Sequence, residues 1–163
     1  MLDIGTGSGA VALSAAYERK DLLVTAVDIS PAALQVAQKN AHTLELGVEF
    51  LISDLFSALP ERKFDGIAAN LPYVTMEEYK LLAPEVRDFE PELALTAPDD
   101  GFAIIAECIR KLPEHLLPGG MAIFEMSPHQ TAKAAGMLRS CGFAADILCD
   151  LTGRERFVRG IAR

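Results

Sequence analysis

Short apolar runs rich in β-branched residues alternate along this chain with longer stretches of helical period, the pattern of βα units stacked around a parallel sheet. Residues 22–27, 48–52, 64–69 and 121–126 predict buried strands, and residues 8–19, 31–42, 99–115 and 128–140 predict helices. Local signals punctuate them. Ser30-Pro31 starts a helix, with serine at the cap and proline at the first helical position. Pro118-Gly119-Gly120 predicts a turn ahead of the fifth strand, and Cys141-Gly142 ends the last helix. Residues 143–150 and 155–161 then read as two strands, which the short connection Leu151-Thr152-Gly153-Arg154 makes an antiparallel hairpin. With Leu2-Asp3-Ile4 as the end of a first strand, the expectation is one α/β domain over residues 1–163. Its sheet is doubly wound, seven-stranded and mostly parallel, with an antiparallel C-terminal hairpin.

That first strand is expected at the centre of the sheet, yet only Met1 and Leu2 precede Asp3. A central strand usually has ~5–6 residues. The expectation is therefore a truncated first strand, in a chain that once had more residues before it and is marginally stable alone.

At 163 residues, 50% of them hydrophobic, the chain is long enough to bury a core. No apolar run approaches the ~20 residues of a membrane span, and the start lacks a basic-then-apolar leader, so no membrane partner is expected. Cys108, Cys141 and Cys149 are odd in number and lack metal-ligand spacing, and His42, His115 and His129 are scattered. The expectation is reduced core thiols, no metal and a cytoplasmic monomer. A net charge of −8 makes nucleic acid an unfavourable partner, because a phosphate backbone needs clustered Lys and Arg. Arg154-Glu155-Arg156 and Arg159 come nearest to a cluster, and their alternation with apolar residues predicts a solvated strand face.

The chemistry begins at Asp3-Ile4-Gly5-Thr6-Gly7-Ser8-Gly9. Gly5, Gly7 and Gly9 permit positive φ and close approach of backbone to a ligand, and the helix expected from Ser8 offers free N–H groups. Followed by Ala10, the turn also satisfies the dinucleotide fingerprint, so glycines alone leave both readings open. Asp3 separates them, because its charge would repel a pyrophosphate but attract the α-ammonium group of a methionine moiety. Asp28, at the end of the second strand, is placed to hold two ribose hydroxyls. Its plainer reading is a charge favouring the helix after Pro31. Asp54, after the third strand, is placed to accept from an adenine amino group, or is an ordinary turn residue.

Asn70-Leu71-Pro72-Tyr73 closes the fourth strand, where open α/β sheets bind ligands. An amide or arylamine nitrogen is a poor nucleophile, and a site that accepts both its hydrogens aims its lone pair at a methyl carbon. The Asn70 side-chain oxygen and the Leu71 carbonyl suit that task, with Pro72 fixing the backbone. Tyr73 offers a flat face for stacking, a role that needs the ring and not the hydroxyl. In-line positioning then carries most of the catalysis. An Asn-Pro turn ending a strand is the plainer alternative. Glycine turn and loop together point to methyl transfer from S-adenosylmethionine onto a planar NH2 group.

These residues resemble the release-factor glutamine methyltransferases (HemK/PrmC type, protein-(glutamine-N5) methyltransferases). The likeness runs through the glycine turn, Val27-Asp28-Ile29-Ser30, Asp54, and Asn70-x-Pro-Tyr73. It continues in Glu90-Pro91-Glu92-Leu93-Ala94-Leu95, Asp100-Gly101, Pro118-Gly119-Gly120, Phe124-Glu125 with Gln130, and the tail Asp150-Leu151-Thr152-Gly153-Arg154-Glu155-Arg156-Phe157. Glu-Pro-x-x-Ala-Leu is its most specific element. The resemblance implies a Rossmann-like class I S-adenosylmethionine-dependent methyltransferase fold, with S-adenosylhomocysteine as the cofactor's product. It implies cofactor contacts from Asp3, Gly5, Thr6, Gly7, Gly9, Asp28, Ile29, Asp54, Leu55 and Asn70. Catalysis falls to Asn70, Leu71, Pro72 and Tyr73, and substrate binding to Asn70, Pro72, Tyr73, Glu90 and Pro91. The substrate implied is the glutamine of the Gly-Gly-Gln loop of peptide-chain release factors.

Departures are visible. Leu71 stands where the family usually has proline, which predicts a less rigid loop. Thr96-Ala97-Pro98-Asp99 lacks the glycine common before Asp-Gly, and Ser127 replaces a frequent glycine. The family's N-terminal helical domain is absent from these residues. An N6-adenine methyltransferase acting on RNA or DNA, a catalytically idle cofactor-binding fragment and, more distantly, a nicotinamide oxidoreductase are the alternatives.

Overall fold

The computed structural model describes residues 1–163. Its elements follow the expected alternation: β1 (Leu2–Ile4), α1 (Ala10–Glu18), β2 (Thr25–Asp28), α2 (Pro31–Thr43), β3 (Glu49–Ile52) and β4 (Phe64–Asn70). Three one-turn helices come next, α3 (Met76–Tyr79), α4 (Pro84–Arg87) and α5 (Glu92–Leu95). The chain closes with α6 (Ala103–His115), β5 (Leu116–Glu125), α7 (Pro128–Ser140), β6 (Ala144–Cys149) and β7 (Glu155–Ile161). The strands form one sheet in the order β3-β2-β1-β4-β5-β7-β6. β1 pairs in parallel with β2 and β4, and β7 runs antiparallel to both β5 and β6. The sheet is thus the seven-stranded, mostly parallel one expected. Sequence order reverses direction between β1 and β4, and the crevice outside their carboxyl ends is where such a sheet takes its ligand.

Alternation along β1 assigns each face. Leu2 and Ile4 join the main core with Val27, Ile67, Phe124, Ile105 and Leu138, and burial of each such side chain contributes ~1.5–3 kcal/mol. Asp3, between them, turns to the face covered by α1. That face is thin, built from Ala12, Ala16, Val24 and Ala26, so α1 lies close on the sheet and its first turn abuts the end of β1. Met1 extends the pairing by one residue, its carbonyl accepting from Thr25 N at 3.0 Å.

Several boundaries differ from expectation. β2 starts at Thr25 and not at residue 22. α1 starts at Ala10, because Gly7 and Gly9 hold φ of 56° and 87° and cannot continue a helix. The helix expected from residue 99 starts at Ala103, because Asp99 and Gly101 take φ of 56° and 73° to turn past Tyr73. Pro118-Gly119-Gly120 lies inside β5 and does not precede it. Phe64 faces Leu116 while Gly66 faces Met121, so the extra residues of β5 bulge. Ala162 stitches that bulge down, accepting from Gly119 N at 3.2 Å and donating to Gly120 O at 2.8 Å. Of the thiols expected in the core, Cys108 is buried, Cys141 is partly buried and Cys149 is exposed.

Candidate active site

The carboxyl ends of β1, β2 and β4 bring Asp3, the glycine turn, Asp28 and Asn70 to one edge of the sheet, flanked by Glu125 at the end of β5 opposite Asn70. The turn is pinned from below. Gly5 N and Thr6 N both donate to Val27 O, at 2.9 and 3.0 Å, and Gly9 N donates to Thr6 O at 2.8 Å. Gly7 N donates to Asp28 Oδ2 at 2.8 Å. The N–H groups of Gly5, Thr6, Gly7 and Gly9 are therefore taken within the protein, and the expected supply of free donors for an anion is much reduced.

Asp3 completes that picture. It is 2% exposed, and its Oδ2 accepts from Thr6 Oγ1 at 2.6 Å and from Ala12 N, in the first turn of α1, at 3.1 Å. A buried carboxylate thus already answers the positive end of the helix. Burial pushes the Asp3 carboxyl up to about 6, while the Thr6 and Ala12 hydrogen bonds pull the other way. Asp28 is shared likewise: Oδ2 takes Gly7 N and Oδ1 takes Ser30 N at 2.9 Å, so it ties the turn to the cap of α2. The ribose role and the plainer helix-start role meet in one side chain, since each oxygen keeps a second lone pair. Ile29 is 55% exposed at the mouth of the crevice. Asp54 is exposed just past β3, and Leu55 is buried with φ of 48°.

Asn70 stands exposed at the end of β4, and no protein hydrogen bond engages its side-chain amide. Leu71 points inward, 4% exposed. A Cβ built on Gly5 would lie 3.2 Å from Leu71 Cδ2 and 3.3 Å from Asn70 O, so glycine turn and loop are in contact. The loss of rigidity expected from leucine in place of proline is offset here: the side chain anchors the loop by packing beneath the turn. Pro72 and Tyr73 are half-buried, and the Leu71 carbonyl takes no backbone donor.

Tyr73 is held by residues that the sequence presented only as parts of a resemblance. Gln130 is 3% exposed, and its Nε2 donates to Tyr73 O and to Asp100 O, both at 3.2 Å. Its Oε1 accepts from Ser127 N at 3.2 Å, which is half of a capping box, so Ser-x-x-Gln was the legible signal. A Cβ on Gly101 would run into the Tyr73 carbonyl. Arg156 is not on a solvated face as expected; its Nη1 donates to Tyr73 Oη at 3.3 Å. Glu90 and Pro91 lie exposed on the strap of residues 75–96. Their tie to the loop is indirect, through Val74 N donating to Leu95 O at 2.9 Å and Ala97 N donating to Val74 O at 3.0 Å.

The donor set fits S-adenosylmethionine better than a dinucleotide. That cofactor carries an ammonium and a sulfonium and no phosphate, and the part-exposed Asp28 and exposed Asp54 carboxylates, with Asp3 buried behind the turn, suit a cationic nucleoside. A pyrophosphate would meet those carboxylates and few free N–H groups.

Residues 1–85 match the family described as methyltransferase small domain. The release factor glutamine methyltransferase of Cereibacter sphaeroides is 42% identical over 161 residues, which cover 97% of this chain and 58% of that protein. The protein of the same name from Koribacter versatilis is 48% identical over 127 residues, covering 77% of this chain and 45% of its own. The chain thus spans about half the length of the curated relatives it matches. Among solved structures, the ribosomal protein L11 methylase of Lactobacillus delbrueckii subsp. bulgaricus superposes with a TM-score of 0.71 at 24% identity, over 99% of this chain and 68% of that one, a likeness of fold.

Proposed function

This chain belongs to the methyltransferase small domain family, and on that premise we propose that it is the catalytic part of an S-adenosylmethionine-dependent protein-(glutamine-N5) methyltransferase. The proposed substrate is the glutamine of the Gly-Gly-Gln loop of a peptide-chain release factor, modified in the cytoplasm. Support comes from one contact above all: Leu71 packed beneath Gly5 sets the Asn70 amide and the Leu71 carbonyl directly beside the cofactor turn. The names of the relatives point the same way.

The cofactor supplies an electrophilic methyl group on a sulfonium. This chain supplies orientation. The surface of the turn from Gly5 to Gly7, free of side chains at its glycines, receives the amino-acid end, with the Asp3 carboxylate buried behind it attracting the ammonium through its charge. Asp28 receives the ribose, and Ile29, Asp54 and Leu55 the base. The Asn70 Oδ1 and the Leu71 carbonyl accept the two hydrogens of the glutamine NH2, which leaves its lone pair facing the crevice. Tyr73 stacks on the planar amide. The nitrogen becomes acidic as it is alkylated and loses its proton to solvent, so no strong base is required.

The test is transfer of labelled methyl from S-adenosylmethionine to a release factor, to the same factor with its Gly-Gly-Gln glutamine replaced, and to RNA. Labelling of the intact factor alone supports the proposal. Labelling that survives loss of the glutamine, or that prefers RNA, rejects it.

A further inference from the structure

Resting on the reading above, we propose that Arg156 is a positioning residue for the methyl-acceptor loop, holding the Tyr73 ring from the last strand of the sheet. β7 is antiparallel to β5, with Phe157 opposite Glu125, and Met126 N donates to Arg156 O at 3.0 Å. This pairing carries Arg156 from the far end of the sequence to the carboxyl edge where β4 ends. From there its Nη1 reaches the Tyr73 hydroxyl, 83 residues earlier in the chain, at 3.3 Å.

The guanidinium is itself constrained. Its Nε lies 4.0 Å from Asp150 Oδ2, and the two side chains are 27% and 23% exposed. Asp150 cannot drift, because its Oδ1 accepts from Thr152 N at 2.8 Å, Thr152 Oγ1 at 2.6 Å and Arg154 N at 3.1 Å. These bonds set the hairpin loop between β6 and β7. The tail Asp150-Leu151-Thr152-Gly153-Arg154-Glu155-Arg156 is thereby a device that builds a turn and aims one arginine. A planar fork suits the task, since it faces two partners in different directions, which a lysine ammonium on a flexible stem does less well.

Tyr73 is fixed at its other end too. Gln130 holds its carbonyl, and Gly101 allows the turn of residues 99–102 to press on that same carbonyl. Burial first, and the Glu125 carboxylate second, hold the Tyr73 phenol above its ordinary range, while Arg156 opposes them. The phenolic oxygen accepts from Arg156 Nη1, which restrains the outer end of the ring. The Asn70 amide and the Leu71 carbonyl remain uncommitted beside it. Stacking alone would not need the hydroxyl; the geometry gives the hydroxyl a task.

The test compares Arg156→Met, Arg156→Lys, Tyr73→Phe and the Arg156→Met/Tyr73→Phe double variant. For methyl transfer to a release factor, Arg156→Met is expected to lower kcat roughly 10- to 100-fold, with S-adenosylhomocysteine affinity unchanged within about twofold. Tyr73→Phe removes the same contact from the other side, so the double variant should be no slower than the slower single one. Arg156→Lys should recover part of the loss. Multiplicative losses, or an Arg156→Met variant with normal kcat, overturn the proposal. A second arm needs no turnover: tyrosinate absorbance, with Tyr73→Phe to identify the band, should show Tyr73 ionising at higher pH in Arg156→Met. An unmoved titration also overturns the proposal. Should the unsubstituted chain label no glutamine while the titration moves, the glutamine reading fails and the Arg156–Tyr73 contact stands.

Discussion

Asp3 on β1 and Ala12 in α1 are joined by a hydrogen bond of 3.1 Å, so a buried carboxylate caps the helix that would otherwise receive a phosphate. On the function proposed above, the two carboxylates next to the turn, Asp3 and Asp28, would select the charge of the ligand. S-adenosylmethionine and S-adenosylhomocysteine are expected to bind, and NAD is not. Isothermal titration with each ligand checks this, and NAD binding tighter than the homocysteine compound would refute the assignment.

The same carboxylate predicts a pH dependence. Burial raises the Asp3 carboxyl from 3.8 to about 6 in the folded protein. Between these values the folded state binds more protons than the unfolded state, so stability falls as pH rises through that window and is level above it. Asp3→Asn abolishes this term. The variant should match the parent near pH 4 and exceed it by ~1–3 kcal/mol at pH 7, while binding S-adenosylmethionine more weakly. Denaturant melts at both pH values test the first part. A difference that is the same at both would show that Asp3 is not strained.

Asp28 reaches both the glycine turn and the cap of α2. Asp28→Ala should weaken S-adenosylhomocysteine binding by ~1.5–3 kcal/mol, the range for hydrogen bonds to a charged group. Calorimetry showing unchanged affinity would leave Asp28 with a purely structural task.

Asn70→Ala should abolish methyl transfer while leaving cofactor affinity almost unchanged, because the exposed amide is committed to no protein partner. The loss belongs in kcat, since it removes orientation in the transition state. Normal turnover, or failure to bind cofactor, would move the role to another residue.

Gly5→Ala combines two penalties. At φ of 70° an alanine costs ~1–2 kcal/mol, and its Cβ would crowd Leu71 Cδ2 and Asn70 O at 3.2 and 3.3 Å. A lower melting temperature with weaker cofactor binding is expected, and a variant as stable as the parent would mean the loop yields freely.

Much of this was written in the order of residues. Apolar periodicity predicted the strands, because burial in a sheet demands it, and the short Leu151–Arg154 connection predicted the antiparallel last hairpin, because so few residues can only turn the chain back. Ser30-Pro31 capped α2 as local chemistry requires, and the positive φ of Gly5, Gly7 and Gly9 follows from what glycine permits. The sequence likewise brought Asp3, Asp28 and Asn70 to strand ends, and so to one edge.

Contacts between strand ends were another matter, because they depend on sheet order and register, which no local window contains. Only in the folded chain does Asp3 occupy the end of α1, or Leu71 turn inward against Gly5. The alternation of Arg156 with apolar neighbours suggested solvent, yet antiparallel pairing of β7 with β5 carries it to Tyr73. Gln130 entered the sequence reading only through the family resemblance, and in space it becomes a tie across 57 residues to Tyr73. Local physics sets which groups a strand end presents, and the long-range order of the strands decides what each group meets.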